Sequence, residues 1–248
     1  MQATLTETVI AATLTVLANG LGGLPFLFTT KFPPNIARLG WAASGGLMLS
    51  ASVFNLIYPG LDHGGIIPVA IGIALGVILM VVTSIWLEGK DFEFQGLNKE
   101  DSHKMIMVLL TLFVHSFPEG VAIGVAYGSG EQELGILIAI AIAIHNIPEG
   151  LAVALPLASG GITGWRTVFW AIVSGVPQVI AAIPAYLAVR AFRPLLPYAF
   201  GFAAGAMFLL VIVEMIPESR STERERLSSG IVAMCGFMFM MLFQLAFG

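Results

Sequence analysis

Apolar residues run through this chain in eight long stretches, each closed by a short polar or Pro/Gly break. They cover roughly 5–28, 40–60, 66–88, 104–128, 134–159, 164–190, 196–216 and 228–247. The breaks are Lys31–Arg38, Asp62–Gly65, Gly89–His103, Ser129–Glu133, Gly160–Gly164, Arg190–Pro197 and Glu218–Ser229. A helix needs about 20 apolar residues to cross roughly 30 Å of hydrocarbon, and each stretch reaches that length. The pattern predicts an all-α, polytopic membrane protein of eight transmembrane helices, forming one transmembrane domain over 1–248. The breaks are too short to hold a soluble domain.

Charge adds an orientation. With both termini outside, the cytoplasmic loops hold Lys31, Arg38, Lys90, Lys99, Lys104, Arg166, Arg220, Arg224 and Arg226, leaving Arg190 and Arg193 on the other side. Basic residues collect on the cytoplasmic side of short loops, so the termini are expected outside. Composition agrees with a lipid environment. The chain is 57% hydrophobic and 10% charged, with a mean hydropathy of +0.92, whereas soluble domains carry about a quarter charged residues. A net charge of −4 without a basic run argues against a nucleic-acid partner. The single cysteine, Cys235, lies in an apolar stretch and can build neither a disulfide framework nor a CxxC metal site. Met1 to Leu24 lacks a basic leader and carries Glu7, so it is expected to be a retained first helix.

The second and seventh stretches repeat a theme. One reads Gly45-Gly46-Leu47-Met48 and ends at Tyr58-Pro59 before Asp62. The other reads Gly201-Phe202-Ala203-Ala204-Gly205-Ala206-Met207 and ends at Ile216-Pro217 before Glu218. In an eight-span chain these helices cross in opposite directions, as an inverted repeat in a 3+2+3 arrangement around a central pair requires.

The central pair carries the chemistry. His115-Ser116-Phe117-Pro118-Glu119-Gly120 and His145-Asn146-Ile147-Pro148-Glu149-Gly150 are the same HxxPEG pattern, each in the middle of an apolar helix. Histidine and glutamate four apart lie on one helix face, one turn from each other. A hairpin turning near residue 132 places His115 level with Glu149 and Glu119 level with His145. An ionisable group at the bilayer centre costs about 2.5–3.5 kcal/mol or more, and no Lys or Arg lies near on these spans. A divalent cation would neutralise both carboxylates and satisfy both imidazoles; the bland alternative is a His–Glu pair that only joins the helices. Pro118 and Pro148 each remove a backbone donor, leaving the carbonyls near 114 and 144 free to line a cavity or bend the helices. Gly120, Gly124 and Gly128, with the pairs Gly72/Gly76 and Gly201/Gly205, offer small faces for close helix packing.

The doubled HxxPEG, the eight spans and the small-residue second and seventh helices together resemble the ZIP metal transporters, in particular their short prokaryotic branch. The resemblance spans essentially the whole chain. It implies a single transporter domain in a prokaryotic inner membrane, metal uptake toward the cytoplasm and often a homodimer. It also implies His115, Glu119, His145 and Glu149 as the primary metal ligands, with Asn146 beside them. Family members can hold a second metal on the residue after each histidine and an acid on span six. Those positions here are Ser116, Asn146 and Gln178, of which Ser116 and Gln178 bring no charge, so one ion is expected. Polar stripes on spans two and seven would line the route. Met48, Ser52, Asn55 and Asp62 share one face, with Met48 as a soft ligand and Asp62 at the outer mouth; Met207, Glu214 and Glu218 share another, at the inner mouth. His63 beside Asp62 could help collect metal, and His103 is read as solvated.

These readings predict alternating-access transport of a divalent transition-metal ion, zinc above all and otherwise iron, manganese, cobalt or cadmium, since imidazole and carboxylate suit all of these. The ion is bound as substrate, the bilayer is the solvent, and no prosthetic group is expected. There is no nucleotide-binding GxxxxGK[ST]. Two rivals remain at this point. An intramembrane zinc-dependent hydrolase needs an open coordination position and a general base, yet HExxH is absent and both glutamates are committed as ligands. A haem held between His115 and His145 would leave its ligands a turn out of level, beside two buried carboxylates.

Overall fold

The computed structural model describes residues 3–29, 33–87, 99–159, 161–219 and 223–247. Of the basic residues used for orientation, Lys31, Lys90 and Arg220 lie outside these, as does most of the break before the fourth span. The described chain is all-α and forms eight helices. We number them α1 (Leu5–Gly23), α2 (Pro34–Ala51), α3 (Ile66–Leu87), α4 (Lys99–Gly128), α5 (Gln132–Ser159), α6 (Trp165–Ala191), α7 (Leu196–Leu210) and α8 (Glu223–Phe247). A short 3₁₀ turn extends α1 to Leu27, while α2 and α7 continue through π-helical turns to Gly64 and Glu218. Several helices begin before their apolar run: α2 at Pro34, α4 at Lys99 and α8 at Glu223. Lys, Glu and Arg are good helix formers, so polar first turns prolong the helix beyond the hydrophobic signal. Among the described residues, seven helices contain an apolar window long enough to cross a membrane. The remaining one, α4, packs against α6, α5, α7 and α1.

Glu7 has a local cause. It closes a capping box at the start of α1, where the Glu7 amide donates to Thr4 Oγ1 at 3.2 Å and the Thr4 amide donates to Glu7 Oε2 at 2.7 Å. Two of the orphan donors at that helix end are thereby satisfied. Between α2 and α3 the chain reverses at Gly65, whose φ of 76° is open to glycine without strain.

Packing falls into two groups of four helices. In one, α4 lies on α6, α1 on both α5 and α6, and α4 on α5; in the other, α3 lies on α7, and α2 on α8. The groups meet where α2 packs on α5 and α4 on α7. Exchanging α1 with α6, α2 with α7, α3 with α8 and α4 with α5 maps this set of contacts onto itself. That is the inverted 3+2+3 repeat anticipated from the two similar stretches.

The repeat reaches the backbone. Ser52–Ile57 in α2 and Val211–Met215 in α7 are both π-helical, with the Tyr58 amide donating to Val53 O and the Ile216 amide to Val211 O. Each is followed one residue later by a proline, Pro59 or Pro217. A proline cannot donate to the carbonyl four residues back, and the widened turn accommodates that lost bond. Glycines set the helix spacing. A Cβ built on Gly72 or Gly76 would lie 2.1 Å from the carbonyl oxygens of Tyr198 or Phe202, and one on Gly201 or Gly205 would lie 2.3 Å from those of Val69 or Ile73. The α3–α7 contact is thus backbone against backbone, as small-residue interfaces in lipid allow. The outer face of α3 carries Ile67, Ile71, Leu75, Ile78, Val82 and Ile85, all exposed on the protein and suited to acyl chains.

The two ends of the bundle are tied separately. At one end, Arg38 Nη1 donates to the Glu225 carbonyl and to Ser228 Oγ, both at 3.0 Å, joining the start of α2 to the start of α8. At the other, His63 Nε2 meets Glu131 Oε1 at 2.9 Å, and Gln132 Nε2 donates to Glu7 Oε1 at 3.1 Å. Arg193 Nη2 adds a bond to the Ser129 carbonyl at 3.3 Å on that second end. Loops assigned to one side of a membrane by charge therefore share one end of the bundle.

Candidate metal site

The α4–α5 hairpin turns at Ser129–Glu131, close to where motif spacing puts it. Both helices run unbroken through Pro118 and Pro148, so the prolines do not end them. The antiparallel register brings His145 Nε2 to 2.9 Å from Glu119 Oε1. Glu149 completes the group: one ligand atom each from Glu119, His145 and Glu149 lie within 4.8 Å of one another. All three residues have no exposed surface.

His115 stands apart from that group. Its Nε2 lies 3.5 Å from Glu214 Oε1, in the π-helical turn of α7. It is 2% exposed, and its Nδ1 has no hydrogen-bond partner among the described residues. Motif spacing placed Glu214 at an inner mouth; folding places it against a motif histidine. Glu214 thus faces α4 from within the π-helical turn of α7. Asp62 and Glu218 are exposed at opposite ends of the bundle, and Met48 is fully buried in the main core.

Around the carboxylates lies a polar layer drawn from three helices. Gln178 Nε2, on α6, donates to Glu119 Oε2 at 2.6 Å. Gln178 Oε1 accepts from the Thr15 hydroxyl and from Asn146 Nδ2, the latter at 3.3 Å. Asn146 Nδ2 also donates to the Thr15 carbonyl at 3.0 Å. Glu119 is thus held at both oxygens, by His145 and by Gln178. Glu149 differs: neither carboxylate oxygen has a partner among the described residues, nor do Asn146 Oδ1 and Ser116 Oγ. Buried polar groups are normally paired. Two buried carboxylates and an imidazole with ligand atoms within 4.8 Å of one another, one carboxylate unpaired, have the donor chemistry of a divalent cation site.

Thr15 of α1 belongs to this layer, and Asn19, one turn on, is buried against α6 at Gly175; motif reading singled out neither. Thr8, Thr15 and Asn19 are fully or almost fully buried and recur at seven and four residues along an otherwise apolar helix. That spacing is the signal that could have found them.

Comparison with known proteins gives the same direction. The model of the ZIP zinc transporter family matches residues 95–244. The zinc transporter GufA of Myxococcus xanthus is 32% identical over 96% of this chain and 98% of its own length. The zinc transporter ZIPB of Bordetella bronchiseptica is 37% identical over 86% of this chain and 71% of its own. An Arabidopsis thaliana protein, also named as a zinc transporter, is 38% identical over 82% of this chain, which spans 33% of that longer protein. With the repeat, the buried His/Glu group and near full-length alignment in agreement, the chain belongs to the ZIP zinc transporter family.

Proposed function

We propose that this protein carries a divalent transition-metal ion, zinc first, across a prokaryotic inner membrane toward the cytoplasm. The observation that carries the reading is the buried group of Glu119, His145 and Glu149, with ligand atoms within 4.8 Å and two carboxylates deep among apolar helices. Such charges are costly in a bilayer, and a passing cation offsets that cost. GufA and ZIPB, named as zinc transporters, align over most of this chain, which favours zinc and leaves the hydrolase without support.

In the proposed cycle the ion passes Asp62, exchanges water for Glu119, His145 and Glu149, and leaves past Glu214 and Glu218. His115 joins the ion by releasing Glu214, so one histidine serves both the site and the inner route. Asn146 offers its free Oδ1 as a neutral ligand. Gln178 and Ser116 bring no charge, which favours one ion per site. Met48, fully buried on α2, is assigned to the route as a soft contact. Both termini are placed outside, and the protein is proposed to act as a homodimer within the bilayer.

The test is zinc uptake into proteoliposomes by wild type, His145→Ala and Glu149→Ala. Robust wild-type uptake that falls at least about tenfold in both variants is expected, with a bound-zinc stoichiometry near one. Stoichiometric zinc binding without movement of any divalent ion would defeat the transport reading.

A further inference from the structure

The pseudo-symmetry that relates α4 to α5 also relates α6 to α1, and it pairs two carboxamides. At the glycine of each HxxPEG a neighbouring helix crosses with its backbone in contact. A Cβ built on Gly120 would lie 2.2 Å from the Gln178 carbonyl oxygen, and one on Gly150 would lie 1.9 Å from that of Asn19. In backbone placement Asn19 therefore lies against the glycine after Glu149 as Gln178 lies against the glycine after Glu119. On one side the pairing is closed, since Gln178 Nε2 donates to Glu119 Oε2 at 2.6 Å. On the other both partners are open: Asn19 Oδ1 and Nδ2 and both oxygens of Glu149 have no partner among the described residues, and both residues are fully buried.

Room for the Asn19 side chain is provided on α6. A Cβ at Gly175 would come within 2.5 Å of Asn19 Nδ2, so glycine there leaves the amide its space, three residues before Gln178. A buried amide with neither donor nor acceptor satisfied is unfavourable as a packing element alone.

Building on the transport reading, we propose that Asn19 is a positioning residue of the cation site, turning its carboxamide onto Glu149 when the ion binds, as Gln178 already does for Glu119. A carboxamide suits this task. It can donate to one carboxylate oxygen while the other faces the cation, and it adds no charge to a site that already holds two glutamates.

The experiment compares wild type, Asn19→Ala, Asn19→Leu, Asn19→Gln and the control Ser50→Ala in detergent and in proteoliposomes. Melting temperatures are read with and without zinc, and uptake is followed against zinc concentration. Asn19→Leu is expected to keep or raise the metal-free melting temperature, because it removes an unpaired polar group, while the zinc-induced rise shrinks. Asn19→Ala is expected to raise the half-saturating zinc concentration about five- to tenfold, with maximal uptake kept within about twofold. Asn19→Gln should recover part of the affinity, and Ser50→Ala, a buried hydroxyl on α2, should match wild type. A lower metal-free melting temperature with zinc affinity unchanged would make Asn19 a packing residue and overturn the inference. Failure of the wild type itself to bind or move zinc would instead overturn the transport reading beneath it.

Discussion

Glu119 and Glu149 occupy equivalent places in two copies of one motif, yet their surroundings differ. Glu119 receives His145 on one oxygen and Gln178 on the other, while Glu149 has neither bond. Gln178 is thus a keystone for one carboxylate: it donates to Glu119 and accepts from Thr15 and Asn146. Gln178→Ala is expected to cost about 1–3 kcal/mol by leaving buried groups unpaired, seen as a lower melting temperature, and to weaken zinc binding. An unchanged melting temperature would mean that water replaces the amide. Acid should act on the same residues. His145, Glu119 and Glu149 must be free of protons to hold a cation, so uptake is expected to fall as pH drops and the half-saturating zinc concentration to rise. Flat uptake between pH about 7 and 5 would show that ligand protonation does not limit transport. The four motif residues were legible because His and Glu in apolar helices are conspicuous. The His115–Glu214 pairing was not, because it joins helices α4 and α7 that are distant along the chain.

Helices here are joined by missing side chains as much as by present ones. Gly150 touches the Asn19 carbonyl and Gly22 lies against Ile147, with a Cβ at Gly22 only 2.1 Å from that carbonyl oxygen. Gly230 on α8 has no atom of another helix within 4 Å of its Cβ position among the described residues. Two substitutions to alanine should therefore differ in sign. Gly150→Ala forces α1 away from α5 and is expected to destabilise by about 1–3 kcal/mol, the range typical of overpacking. Gly230→Ala is expected to be neutral or to stabilise by up to about 1 kcal/mol, since alanine is the better helix former. Thermal unfolding in detergent reads both, and equal losses would refute backbone contact as the cause. Small-residue spacing in the chain marked the packing faces, but not their partners. The π turns before Pro59 and Pro217 were not predicted at all; each is a response of the ladder to a lost donor within a packed bundle.

For the whole molecule, the bonds at the two ends sort the loops into two sets, and charge names the sides. His63 and Glu131 fall in one set, Arg38 and Glu225 in the other. On a Cys235→Ala background, His63→Cys is expected to react with an impermeant thiol reagent from outside intact cells, and Arg226→Cys only after permeabilisation. The reverse pattern would invert the orientation proposed from the basic residues. The exposed face of α3 and the exposed side of α8 are where lipid or a second copy must sit.

By itself the sequence determined the membrane class, the eight spans, the central hairpin and its His/Glu pairs, because hydrophobic length and one-turn spacing are local properties of a chain. It also hinted at the inverted repeat. Tertiary structure decided which ligands converge, that His115 stands with Glu214, and that α1 supplies Thr15 to the polar layer and buries Asn19 against α6. Those outcomes depend on helices far apart in sequence meeting at particular rotations, and on π turns that lie ahead of a proline. Neither follows from periodicity along one helix.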